Sequence, residues 1–260
     1  MNLAKQAEMI VVIAKKELFS LLLSPLGWSI LLILQLITAF LFSNQLELYL
    51  QIQTQLMLAA DPPGSTLAVV SPHYANAAIL LLLVVPLITM RLISEERKNG
   101  TLSLLFSAPL SITEIVLGKF FGVMSFLILG ILLISFAPLS LLFSGSLDLG
   151  LFISNVLGLF LMIMTFCSLG LLISSLTKQP LVAVIATFST LIFLWIIDWA
   201  GRESSDSTMG AILQYFSLTR HYENLLKGVF NTSDIVYYLS LSFSFLVLTI
   251  FFLDNRRLQG

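Results

Sequence analysis

Six long stretches without a charged residue are the feature that most limits how this chain can fold. No Asp, Glu, Lys or Arg occurs between Glu17 and Glu47, for example, or between Asp61 and Arg91. Crossing about 30 Å of hydrocarbon takes roughly 20 helical residues, and lipid offers no partner for unpaired backbone groups. The charge gaps therefore predict six transmembrane helices, near residues 26–45, 73–93, 120–143, 151–172, 181–199 and 235–253.

Composition agrees with a membrane protein. The 260 residues are 58% hydrophobic and 10% charged, whereas soluble chains carry roughly 25% charged residues. We predict one all-α, polytopic membrane domain over residues 1–260. Its net charge of −1 and the lack of a basic patch with interleaved aromatics predict no nucleic-acid partner. The single cysteine, Cys167, lies in an apolar run, which favours a packing role.

The first 23 residues differ from the spans because they alternate between apolar and charged positions. This pattern predicts an amphipathic helix that lies along the membrane surface and bends at Ser24-Pro25. Its broad apolar face contains Met9, Ile10, Ile13, Leu18 and Leu21.

Lysines and arginines predict the orientation, because cytoplasmic loops are enriched in them. Placing both termini inside puts ten of the 13 in the cytoplasm. Only Arg202, Arg220 and Lys227 then lie outside. Both termini and the loop of residues 94–118 are therefore predicted to be cytoplasmic.

That loop has the densest local pattern in the chain. Gly100 should end the helix that leaves the second span, and Pro109 should end a short helix over Thr101–Ser107. Ser111 and Glu114 form a capping box that starts the next helix. The short helix is amphipathic, with one apolar side made of Leu102, Leu105 and Phe106. It is either a docking element or an ordinary turn seated on the surface.

The outer segment of residues 200–234 is longer than a turn. It contains a polar, an apolar and an amphipathic piece, each too short to cross a membrane. The pattern alone is equally compatible with a re-entrant hairpin and with a plain surface loop.

A search for catalytic motifs gives negative results. The chain has no G-x-x-x-x-G-K-[ST] loop to hold nucleotide phosphates. His73 and His221 have no acidic partner at ligand spacing, so the sequence assigns neither a chemical role. Adjacent Glu95 and Glu96 point about 100° apart on a helix, which suits docking better than acid–base chemistry. No span has a charge through its middle, which disfavours an ion-coupled carrier. Energy for any uphill transport should come from outside the bilayer.

Two runs of residues resemble a known family. The first, after span two, is Glu95-Glu96-Arg97-x-x-Gly100-Thr101-Leu102-x-x-Leu105-x-x-Ala108-Pro109. The second comprises Tyr215-Phe216-Ser217, His221-Tyr222-Glu223-Asn224, Lys227-Gly228-Val229 and 234–240. With six spans and a leading surface helix, the chain resembles ABC-2 type transporter permeases. The second run resembles the gliding-motility GldF branch and its nitrous-oxide-reductase maturation relatives. Ser233 departs from the basic residue expected before Asp234, which puts an ion pair there in doubt.

The resemblance implies a non-catalytic subunit in the inner membrane that works with a cytoplasmic ABC ATPase and a second permease copy or related permease. ATP and Mg²⁺ would bind the ATPase, and this chain would bind no cofactor. Residues 1–23 would be the connecting helix and Thr101–Ser107 the coupling helix. The implied ATPase contacts are Glu95, Glu96, Arg97, Gly100, Thr101, Leu102, Leu105, Phe106 and Pro109. The implied outer gate or periplasmic contacts are Tyr215, Phe216, His221, Glu223, Gly228 and Asp234, with 209–230 as a re-entrant pair. The alternative is a non-transporting scaffold that transmits force to a periplasmic protein.

Overall fold

A computed structural model describes residues 3–56, 64–107, 110–144, 147–203 and 217–259, and the regular structure within them is helical. The α-helices are α1 (Leu3–Leu22), α2 (Pro25–Leu56), α3 (Ser71–Thr89), α4 (Ser94–Lys98), α5 (Leu102–Ser107), α6 (Ile112–Leu139), α7 (Leu149–Leu176), α8 (Pro180–Glu203), α9 (Leu218–Leu226) and α10 (Thr232–Gln259). A π-helical turn, Thr66–Val70, leads into α3, and a 3₁₀ turn, Ser140–Ser144, follows α6. Six helical segments are long and apolar enough to cross a membrane, which confirms the predicted all-α membrane fold.

Five of these six segments extend beyond the stretches that the charge gaps predict. The first runs over Pro25–Thr54 and the last over Thr232–Arg257. Charged residues therefore mark where a helix leaves the hydrocarbon, and the helix itself continues past them. Helix α2 has 32 residues, about 48 Å at 1.5 Å per residue, which is longer than the bilayer's apolar core.

Helix α7 occupies the centre of the bundle. Of its most apolar stretch of 18 residues, 72% is buried, whereas the corresponding share is 17% for α8 and 28% for α2 and α10. Side-chain contacts show that successive spans alternate in direction. Helices α4 and α5 lie at one end, called the α5 end here, where α7 and α10 finish. Helix α9 lies at the other, the α9 end, where α3 and α7 begin.

Helix α1 packs alongside the first part of α6. A Cβ atom added at Gly118 would lie 2.6 Å from Ile13 Cβ, and one at Gly122 would lie 2.7 Å from Glu17 Cβ. Two glycines four residues apart thus let the helix backbones approach closely. The half-buried positions of α1 include Met9, Ile10, Ile13, Leu18 and Leu21. The predicted apolar face therefore contacts protein, while Val11, Val12 and Phe19 are exposed.

The predicted break before α5 is present and α6 begins at the predicted capping box, with one difference from the sequence prediction; the predicted break at Pro109 lies outside the described residues. Gly100 has a φ of +72°, a conformation that glycine adopts without steric cost. The capping box is complete, because Ser111 N–H donates to Glu114 Oε2 over 2.8 Å and Glu114 N–H donates to Ser111 Oγ over 3.2 Å. The expected single helix from span two to Asn99 is wrong, however. It is interrupted by turn residues at 90–93, between α3 and α4.

Candidate functional site

A buried lysine joins three elements at the α5 end. The Nζ atom of Lys119 on α6 lies 2.7 Å from Glu96 Oε1 on α4 and 2.9 Å from Glu17 Oε1 on α1. The Lys119 side chain is 2% exposed, and those of Glu17 and Glu96 are 13% and 19% exposed. Lys16 adds a second cation, 3.4 Å from Glu17 and 3.9 Å from Glu96. We call these four residues the Lys119 cluster.

The charges of the cluster set the protonation of Glu17. Burial alone would raise the pKa of this carboxyl group, because a charged form loses its hydration. The charge and hydrogen bond of Lys119, helped by Lys16, outweigh burial and lower the pKa of Glu17 below its ordinary value of 4.5. Glu17 is therefore ionised at neutral pH and balances the buried ammonium group. A cavity of about 310 Å³ adjoins the cluster.

Helix α4 is also attached to α7, and this attachment explains the turn before it. Ser174 Oγ accepts hydrogen bonds from the backbone N–H groups of Ile93 and Ser94, over 3.2 and 3.1 Å. Because these two N–H groups bond to a neighbouring helix, α3 does not continue into α4. Arg97 Nη1 donates to the carbonyl of Thr177 over 3.5 Å. Helix α4 thus bridges the α1–α6 pair and α7.

Most of the predicted ATPase-contact residues lie on α4, on α5 or in the turn between them, but their surroundings differ. Glu95 pairs with Arg91 at 3.9 Å, while Glu96 points into the Lys119 cluster. Thr101 N–H donates to the carbonyl of Glu96 over 2.9 Å, across the turn made by Gly100. Leu102 packs against the core, and Leu105 is half-buried. Pro109 and the side chain of Phe106 lie outside the described part of the chain.

Two predicted residues meet at the α9 end. His221 Nδ1 on α9 donates to Asp234 Oδ1 on α10 over 2.6 Å, and Asn224 Nδ2 donates to Asp234 Oδ2 over 3.1 Å. The His221 ring stacks on Tyr237, with centroids 4.1 Å apart. The search for an acidic residue at ligand spacing did not identify this partner of His221. Asp234 is paired without a basic residue at position 233, because its partner lies 13 positions earlier on another helix.

Helix α9 is fastened to α3 and α7 through its last carbonyl groups. Ser154 Oγ donates to Leu225 O over 2.6 Å, and Ser71 Oγ donates to Leu226 O over 2.8 Å. Tyr222 OH donates to the carbonyl of Tyr74 over 2.8 Å. Burial, together with nearby Tyr74, raises the pKa of Tyr222 well above its ordinary range, so the phenol keeps its proton.

The other predicted outer residues have separate positions. Gly228 ends the turn after α9 with a φ of +77°, and Glu223 is half-buried. Tyr215, Phe216 and the first half of the expected re-entrant pair lie outside the described residues. Of the predicted outer residues, His221 and Asp234 are in direct contact with each other.

Sequence reasoning missed the centre of the α5-end site. The charge pattern used Glu17 only as the edge of a charge gap and assigned no role to Lys119. The available signal was a lysine between two glycines four apart, Gly118 and Gly122, at the start of a span. A charge there has to face protein, because glycines at this spacing face a neighbouring helix. No local signal identifies Ser174 as the partner of α4.

The described residues offer little for chemistry, but the chain has a clear relation to a family. No group of three His, Cys, Asp or Glu side chains that could hold a metal ion occurs in the described ranges.

A family model for ABC-2 family transporter proteins matches residues 11–253. The chain belongs to the ABC-2 family. An ABC-2 chain with six apolar spans is a multi-pass membrane protein and a permease subunit of an ABC transporter. The matched residues contain all of α2 through α9, and therefore include elements of both the α5 end and the α9 end. A search of curated proteins gives no match to this chain.

Proposed function

We propose that this permease subunit transmits ATP-driven motion from a cytoplasmic ABC ATPase into the membrane through α5. The observation that carries the proposal is the Lys119 cluster. Helix α5 follows α4 after one turn, and Glu96 of α4 is bonded to Lys119, which is bonded to Glu17. A displacement of α5 would therefore reach α4, α6 and α1 together.

The mechanics depend on how stiff these connections are. Charge-assisted hydrogen bonds at 2.7 and 2.9 Å are about twice as strong as neutral ones. The close glycine contacts make α1 and α6 move as one body. The Ser174 bonds carry the same displacement into α7. The half-buried Leu105 and the exposed Thr101 and Ser107 leave α5 accessible to a partner.

The remaining parts of the proposed complex follow from the family. Two ATPase subunits bind ATP and Mg²⁺, and a second permease copy or a related permease completes the membrane part. The exposed apolar faces of α2 and α8 are available to that copy or to lipid. We place the α5 end and both termini in the cytoplasm and the complex in the inner membrane. Membership in the GldF-like branch belongs to the same proposal.

Export is the first candidate for what the motion achieves, and force transmission without transport is the second. Exposed Val229 and Phe230 follow the firmly held α9 and favour contact with an outer protein. Reconstitution with the ATPase separates the two candidates. Transport predicts ATPase stimulation by a substrate, and a scaffold predicts stimulation only by a periplasmic protein.

Replacing residues 102–106 with a Gly/Ser linker tests the docking role. We expect the full-length variant to insert and to keep most of its thermal stability, because α5 lies at the edge of the packed bundle. It should no longer co-purify with the co-expressed ABC ATPase of the proposed complex. The matched control is Val229→Ser with Phe230→Ser at the α9 end, which should keep the ATPase. Retained ATPase in the α5 variant would reject the proposal.

A further inference from the structure

Three cations meet where α7 ends, and they differ from those of the Lys119 cluster. Arg256 Nη2 on α10 donates to Leu176 O over 3.3 Å, and Arg97 on α4 binds the next carbonyl, that of Thr177. Lys178 follows directly in the chain and is exposed. We call Arg97, Lys178 and Arg256 the α7-end cations. They come from three elements and converge on one helix terminus.

The positive charge of this group is only partly compensated. Lys16, Arg91 and Lys119 each have a carboxylate within 4.0 Å, whereas none of the α7-end cations has one among the described residues. The C-terminus of a helix carries about half a negative charge, which is small against three cations. In addition, Arg256 Nη1 is enclosed and has no hydrogen-bond acceptor in the described structure. An anion would supply both the charge and the acceptor.

The surroundings indicate which kind of anion. Phe252 lies one turn before Arg256 on the same side of α10 and is 37% exposed. Leu176, whose carbonyl binds Arg256, is 41% exposed, and Leu181 at the start of α8 is 68% exposed. Cationic groups thus border exposed apolar surface at the end of two membrane spans. An acidic phospholipid has the matching arrangement, with a phosphate group above its acyl chains.

We propose that the α7-end cations form a binding site for the phosphate of an acidic phospholipid in the leaflet at the α5 end. Arg256 and Lys178 contact the phosphate, and Arg97 adds to the positive field. The acyl chains lie along Leu176 and Phe252. Lipid bound here braces the ends of α7 and α10 beside α4, without any requirement for the ATPase.

The test compares two variants of the full chain that lose the same charge. Arg256→Gln with Lys178→Gln removes two of the α7-end cations, and the amide introduced by Arg256→Gln keeps a hydrogen-bond donor on α10. Lys5→Gln with Lys15→Gln removes two exposed lysines of α1 as the matched control. Each protein is purified, and phosphatidylglycerol binding is measured by native mass spectrometry. Its unfolding temperature is measured in phosphatidylcholine nanodiscs with and without phosphatidylglycerol.

We expect phosphatidylglycerol to raise the unfolding temperature of the wild type and of the control. In the test variant, binding should weaken roughly 30-fold, since each of the two cations contributes about five- to sixfold, and the temperature rise should be lost. Equal unfolding temperatures in phosphatidylcholine alone would establish that both variants fold.

Three results would overturn the proposal. An equal loss in the control would mean that the membrane attracts positive charge without a site. Equal stabilisation by inorganic phosphate would mean that the site binds a free anion and not a lipid. The third result is an unfolding temperature that phosphatidylglycerol leaves unchanged but that the ATPase raises only when Arg256 and Lys178 are present. It would mean that these cations bind an acidic protein surface.

Discussion

At the scale of single residues, Lys119 is a buried cation that pairs with carboxylates on two other helices. It neutralises two carboxylates that would otherwise face each other in a nearly dry site. We expect Lys119→Met to lower the free energy of unfolding by about 3–5 kcal/mol, because breaking a buried ion pair leaves charges without a partner. Thermal unfolding in detergent measures the change. Lys16→Met is the control, since its side chain is 65% exposed and an exposed pair contributes about 1 kcal/mol or less.

Neutralising Glu17, Glu96 and Lys119 together gives a sharper comparison. The triple variant Glu17→Gln, Glu96→Gln, Lys119→Met leaves only Lys16 charged in the cluster, and that side chain is 65% exposed to solvent. We expect the triple variant to recover part of the lost stability. A triple variant less stable than Lys119→Met would show that the ion pairs themselves, and not the avoided bare charges, stabilise the fold.

The low pKa of Glu17 predicts how stability depends on pH. The pKa is lower in the folded chain than in the unfolded chain, whose value is close to 4.5. The stabilisation is complete above pH 4.5 and is lost as the pH falls through the folded value, because the unfolded state then binds more protons. Unfolding temperatures measured from about pH 7 down to about pH 3 should fall more for the wild type than for Glu17→Gln, with the difference appearing below pH 4.5. Parallel curves would contradict the assignment.

At the scale of elements, helix contacts through glycine should decide how α1 is held. A Cβ added at Gly122 would lie 2.8 Å from the carbonyl oxygen of Ala14, so Gly122→Ala should push α1 away from α6. We expect a loss of about 1–3 kcal/mol, typical of overpacking. Gly130→Ala is the matched control on the same helix, because its nearest neighbour would be 3.6 Å away. Cysteine cross-linking between α1 and α6 would detect the displacement; unchanged cross-linking in Gly122→Ala would contradict it.

The elements also show how far the sequence predicts the structure. Charge gaps predicted the six spans, and local chemistry predicted the break at Gly100 and the capping box at Ser111, because each depends on residues close in the chain. The pairing of Lys119 with Glu17 and that of His221 with Asp234 depend on which helices become neighbours. Hydrophobic helices carry little information on that choice, since most of their faces are equally apolar. The partners of α4 and α5 outside the chain stay predictions for the same reason.

At the scale of the whole molecule, the alternating spans place the α5 end and the α9 end on opposite sides of the membrane. The excess of lysine and arginine predicts that the α5 end is cytoplasmic. In a Cys167→Ala background, a membrane-impermeant maleimide added to intact spheroplasts should label Lys227→Cys. It should label Thr101→Cys only after the membrane is opened. Both positions are exposed, so the reverse pattern would invert the orientation.

The close contact of α1 with Gly118 and Gly122 of α6 has a consequence for biosynthesis. The ribosome makes α1 before α6, so Gly118 and Gly122 emerge only after the first two spans have been synthesised. Until then, the apolar stripe of α1 has no protein surface to cover it and must rest among lipid headgroups or on a chaperone. Final seating of α1 therefore requires the first part of the third span, and the nascent chain cannot complete this contact any earlier.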